Sequence, residues 1–71
     1  MAREWLQKAR EDAGLTQQKM SEILGISESY YGYIETGKRQ KTLDLMMAEK
    51  IGNVLHMSVK KIAELEKQMS A

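Results

Sequence analysis

Apolar residues recur at three- and four-residue intervals along most of this chain, and strict two-residue alternation is absent. That spacing predicts an all-α fold. A first helix is expected over about 2–13, where Ala2, Trp5, Leu6, Ala9 and Ala13 share a stripe and Arg3, Glu4, Lys8, Glu11 and Asp12 lie off it. Trp5 and Leu6 read as core, and Gly14 follows as the helix terminator. A second helix is expected over 17–24, with Thr16 as its N-cap and Leu15 and Met20 as a hydrophobic staple across the cap. The device repeats for a third helix over 28–35: Ser27 caps, Ile26 and Tyr31 staple, Ile34 continues the face and Gly37 terminates.

The fourth helix is expected to begin at Thr42 and to cover about 43–55. Leu43, Met47, Ile51 and Leu55 recur every four residues, and Leu45, Met46 and Ala48 widen the apolar face, which predicts a central helix. Gly52 lies inside it and marks close packing against a neighbour; His56, which tolerates positive φ, follows as a cap. A fifth helix over 59–68 uses Ser58 as cap and Met57 and Ile62 as staple, with Leu65 and Met69 along the stripe.

Two short helices joined by Gly25-Ile26-Ser27 describe a helix-turn-helix. Its packing requires Met20 and Leu24 to meet Tyr31 and Ile34, Ile26 to plug the corner, and the small Ser21 to let the axes approach. Gly25 supplies a turn that a side chain would oppose.

Composition narrows the function classes. Seventy-one residues leave room for one domain, 1–71. With no Cys and one His there is no disulfide and no thiolate or paired-His metal site; with no phosphate loop and no paired-carboxylate pocket that 71 residues could enclose, no cofactor is implied and an enzyme is not expected. The longest apolar run, Leu45–Ala48, is far short of the roughly 20 residues that span a bilayer, so no membrane role is expected. Arg3 and Glu4 stand where an export signal would begin its apolar stretch, so a cytoplasmic location is expected. The net charge of +1 is uninformative by itself, but residues 36–71 hold seven Lys/Arg against four acids while residues 1–35 hold four against six. Lys38, Arg39 and Lys41 cluster just past the third helix, and such a patch attracts polyanions even from a nearly neutral protein.

Ala13-Gly-Leu-Thr-Gln17, Leu24-Gly-Ile-Ser27 and Ile34-Glu-Thr-Gly-Lys-Arg39 resemble the phage repressor/Cro (xenobiotic-response-element-like) family, and the likeness extends from about Leu6 to Leu65. The resemblance implies a compact five-helix, lambda-repressor-like bundle with a central helix-turn-helix. It implies a transcription regulator, a repressor acting as a homodimer on a palindromic operator. Lys41 departs from the family, which often has Pro before the fourth helix.

The partner implied is double-stranded DNA. A recognition helix lies in the major groove with its N-terminal residues nearest the base edges. Glu28, Ser29 and Tyr33 match the family's base-reading positions. Glu28 is able to accept from cytosine N4, although an acid also suits the first turn of any helix. Gly32 is unhelpful to the helix and leaves a gap between these contacts. Thr16 and Gln17 at the start of the second helix, and Thr36, Lys38, Arg39 and Lys41 beyond the third, are the expected phosphate contacts. Arg10 and Glu35 match a family ion pair of structural role. Met57, Val59 and Ile62 are candidates for a dimer interface, with Ile62 alternatively a core residue. Ile23 is apolar where the family is usually polar, which raises a second reading: an antitoxin or similar module that holds a partner protein there and autoregulates its operon.

Overall fold

The computed structural model describes residues 2–37 and 43–70, and of residues 69 and 70 the backbone alone. Five helices and no strands are present among the described residues. They are α1 (Glu4–Asp12), α2 (Gln17–Leu24), α3 (Glu28–Thr36), α4 (Leu45–Leu55) and α5 (Val59–Ser70). No helix among them is long and apolar enough to cross a membrane.

Local chemistry sets most of the boundaries. Thr16, Ser27 and Ser58 each accept the backbone N–H three residues on, at 3.0 Å, which relieves one of the unpaired donors of the first turn. Each staple closes as the sequence implies: Met20, Tyr31 and Ile62 are buried, and Leu15, Ile26 and Met57 pack half-buried against the same core. Gly25 ends α2 at φ +72°, the left-handed conformation that a Cβ opposes. His56 ends α4 at φ +58°, as expected for a residue in the cap position.

Three expectations need correction. First, α1 begins at Glu4 rather than Ala2, because Arg3 is turned out of helical geometry while its N–H donates to the Glu35 carbonyl. Second, α4 begins at Leu45, capped by Asp44 through Met47 N–H at 2.8 Å, rather than at Thr42, which lies outside the described residues. A carboxylate satisfies a free N–H and meets the positive end of the helix dipole at once. Third, α4 is not buried all round. Its core face is Ala48, Ile51 and Gly52, while Leu45 and Met46 are 63% and 70% exposed in the first turn.

The core joins all five helices through Leu6, Met20, Leu24, Tyr31, Ile34, Ala48, Ile51 and Ile62. Arg3, placed among the surface residues by periodicity, is fully buried. Its guanidinium donates to the Ile34 carbonyl at 2.7 Å and to the Glu66 carboxylate at 3.0 Å, and Trp5 Nε1 donates to the same carboxylate at 2.8 Å. The N-terminal segment thereby ties α5 to the last turn of α3, whose carbonyls have no partner within the helix.

Gly52 packs against the turn after α4: a Cβ there would collide with the Met57 carbonyl oxygen and crowd Ile62. Gly52→Ala is therefore expected to lower stability by about 1–3 kcal/mol, although Ala is the better helix former. Urea unfolding followed by circular dichroism checks this, and an unchanged or higher midpoint would contradict the packing account.

Candidate nucleic-acid interface

The helix-turn-helix is organised around the buried carboxylate of Glu35. Arg10 Nε from α1 donates to it at 2.6 Å, the Tyr31 hydroxyl at 2.7 Å and Gln17 Nε2 from α2 at 3.0 Å. Arg10 also donates to the Leu15 carbonyl at 2.7 Å, which fixes the connection between α1 and α2. The Arg10–Glu35 pair matches the expectation; the Tyr31 and Gln17 contacts go beyond it. Two signals point to the Tyr31 contact: Tyr31 and Glu35 stand four apart on one helix, and a buried tyrosine hydroxyl needs a partner.

The electrostatics of the cluster follow from its burial and pairing. Burial by itself raises the Glu35 pKa, but donation from Arg10, Tyr31 and Gln17 outweighs it and holds the carboxyl below its ordinary value. Burial, then the hydrogen bond to Glu35, pushes the Tyr31 hydroxyl well above its usual range, so it stays a donor. Its hydrogen bond to Glu35, chiefly, raises Arg10 further, against the effect of burial.

The outward face of α2 and α3 carries the expected DNA-facing residues. Gln17, Ser29, Gly32, Tyr33 and Thr36 line one open hollow of about 240 Å³ between the start of α2 and the exposed side of α3. Glu28, Ser29 and Thr36 are exposed, and Tyr33 is half-buried. The structure thus brings together two expected base readers, Ser29 and Tyr33, and two expected phosphate contacts, Gln17 and Thr36. Glu28 is one residue further toward the N-terminus of α3. Thr16 is exposed with its oxygen engaged as the α2 cap, while its hydroxyl proton is available to an acceptor. Gln17 is half-buried and pinned by Glu35, so its amide is held at the rim of the hollow. Lys38, Arg39 and Lys41 lie outside the described residues.

Between α4 and α5, Met57 and Val59 are half-buried, whereas Ile62 is 1% exposed and belongs to the core. Its side chain is unavailable as a surface contact in this chain, in line with the alternative reading of that position. Ile23 is 48% exposed on α2. No group of side chains able to hold a metal ion occurs among the described residues.

The pH dependence of folding follows from Glu35. Its folded pKa lies below the unfolded value, so the unfolded chain takes up the proton first as pH falls. The contribution is complete above the unfolded value, about 4.3, and is lost as pH drops through the folded value. Glu35→Gln is expected to destabilise the neutral protein by about 3 kcal/mol by leaving Arg10 buried without its counter-charge, and to flatten the acid limb of the stability curve. Parallel acid limbs for the two proteins in denaturation series between about pH 3 and 6 would refute the assignment.

Comparison with known proteins agrees with this geometry. The Helix-turn-helix family of the Cro/C1 type matches residues 6–62. The HTH-type transcriptional regulator YqaF of Bacillus subtilis (strain 168) is 36% identical over 55 residues, covering 78% of this chain and 70% of YqaF. The SPbeta prophage-derived HTH-type transcriptional regulator YonR of the same organism is 40% identical over 55 residues, again 78% of this chain but 49% of YonR, so the chain spans about half the length of that relative. The chain belongs to the Cro/C1-type helix-turn-helix family, a non-enzymatic family of DNA-binding regulators.

Proposed function

We propose that this protein is a sequence-specific double-stranded DNA-binding transcription regulator that represses from a palindromic operator as a homodimer. The observation that carries the reading is the hollow on the outer face of the helix-turn-helix. Residues suited to base edges, Ser29 and Tyr33, and residues suited to phosphates, Gln17 and Thr36, converge there. Phosphate contacts set register and supply most of the affinity, while base contacts discriminate. Gln17 at the positive end of α2 provides the first function, with Lys38, Arg39 and Lys41 extending it along the strand. Glu28, Ser29 and Tyr33 provide the second.

Glu28→Ala and Tyr33→Ala are expected to fold normally and to change which duplexes bind, at about 1–3 kcal/mol for each base that goes unread. Lys38→Ala and Arg39→Ala are expected to weaken all duplexes alike and to reduce the salt slope by about 1 each. Gel shifts across a salt series separate the two behaviours. A wild-type protein that retains no duplex even at low salt would end the proposal.

A single helix-turn-helix touches few base pairs, and dimers of such motifs bind half-sites about 34 Å apart. We place the symmetric contact at the end of α4, the turn after it and the start of α5, where Met57 and Val59 keep part of their apolar surface accessible. Val59→Asp is expected to shift the protein toward monomer in sedimentation at micromolar concentration and to weaken palindrome binding. A wild-type monomer that binds a lone half-site as tightly as the palindrome would exclude the dimer. The partner-protein reading rests on Ile23; one exposed isoleucine is ordinary on a soluble surface, so the DNA reading is preferred.

A further inference from the structure

Gly32 is the fifth of the nine residues of α3, a position where glycine weakens a helix relative to alanine. The fold gives no reason for it. Its φ is not in the left-handed region, unlike those of Gly14, Gly25 and Gly37. A Cβ built on it meets nothing within 4 Å, whereas one on Gly52 would strike the Met57 carbonyl. Among the described residues nothing benefits from the missing side chain, which leaves room for an object outside the chain.

Its surroundings identify that object. Ser29, Gly32 and Thr36 are three and four residues apart, so with Tyr33 they form one stripe along α3, and this stripe floors the hollow that Gln17 borders. Gly32 lies on that outward stripe one turn beyond Ser29, so a side chain there would stand between α3 and the groove that Ser29 has to reach. Ser29, the expected reader one turn earlier, has a short side chain that meets a base edge only if the helix axis sits deep. A Cβ at position 32 would add about 1.5 Å, one carbon–carbon bond, to the face that enters the groove.

We propose that Gly32 is a specificity-determining position: its bare backbone lets α3 seat deeply enough in the DNA major groove for Ser29 and its neighbours to reach base edges. This inference rests on the DNA-binding reading above and names the part of the duplex that meets α3, a base edge rather than the sugar–phosphate strand.

The test is Gly32→Ala in the full chain. Two probes are used: a duplex selected by the wild-type protein from a randomised library, and poly(dI-dC) as non-specific duplex. The variant is expected to melt about 4–8 °C higher, because alanine favours the helix and nothing inside the fold obstructs it. Its affinity for the selected duplex is expected to fall roughly tenfold or more, the scale of one mismatched base pair. Its affinity for poly(dI-dC) should change less than about threefold, since phosphate contacts remain. Unchanged affinity for the selected duplex would overturn the proposal. A lower melting temperature would overturn it too, because the fold itself would then need the glycine. Equal reductions on both probes would assign the approach to the DNA backbone and overturn the base-edge role. If the wild-type protein selects no duplex at all, the DNA-binding reading fails first and this inference falls with it.

Discussion

A carboxylate buried in a protein of this size has to be paired, and the pairing of Glu35 shapes the rest of the helix-turn-helix. An isolated buried charge costs several kcal/mol, more than a small core is able to absorb. Arg10, Tyr31 and Gln17 together satisfy the group from α1, α3 and α2. Hydrogen bonds are directional, so the donors from Arg10 and Gln17 fix α1 and α2 against α3 in angle as well as in distance, and Tyr31 holds the carboxylate in place from within α3. Hydrophobic contacts such as Met20 against Tyr31 and Ile34 supply most of the stabilisation, but they tolerate sliding. The ionic hub does not, and the outer face of the helix-turn-helix inherits its precision from that difference.

The same hub joins structure to the interface through Gln17. One amide hydrogen of its Nε2 is committed to Glu35, which leaves the other and the carbonyl oxygen at the edge of the hollow. A surface glutamine loses rotamer freedom when it grips a phosphate; a pinned one has lost part of it on folding. A helix start with free N–H groups is a general anion site, and in the proposed function a pre-oriented amide beside it would serve as a register mark for the recognition helix.

What is legible in the sequence is mostly local. Thr16, Ser27 and Ser58 cap because a short hydroxyl three residues before a free N–H has few alternatives, and the staples Leu15–Met20, Ile26–Tyr31 and Met57–Ile62 depend on residues five apart. The helix-turn-helix and the cluster of Gln17, Ser29, Tyr33 and Thr36 follow from those caps and the periodicity between them. The start of α4 is ambiguous because Thr42 and Asp44 are both chemically able to cap, and the four-residue recurrence from Leu43 favours the earlier one. Leu45 and Met46 count toward a buried face because periodicity registers apolar residues without showing where the neighbouring helices stop. Arg3 escapes sequence reasoning for a different cause. Its partners are 31 and 63 residues away, and no spacing rule connects an N-terminal arginine to Ile34 and Glu66.

That long-range contact changes how the two ends of the chain relate to the recognition helix. The last carbonyls of any helix need partners, and α3 finds two of them in Arg3, at Ile34 through the guanidinium and at Glu35 through the backbone N–H. Glu66 holds Arg3 from α5, and Trp5 holds Glu66. The exit of α3 is therefore braced by Arg3 and by the paired carboxylate of Glu35, its penultimate residue, while its entry is held by the Ser27 cap. A helix held at both ends keeps its axis in place while its outward residues vary. Glu28, Ser29, Gly32 and Tyr33 lie outside the buried core, so under the proposed function the sequence read on DNA is able to change without altering that core.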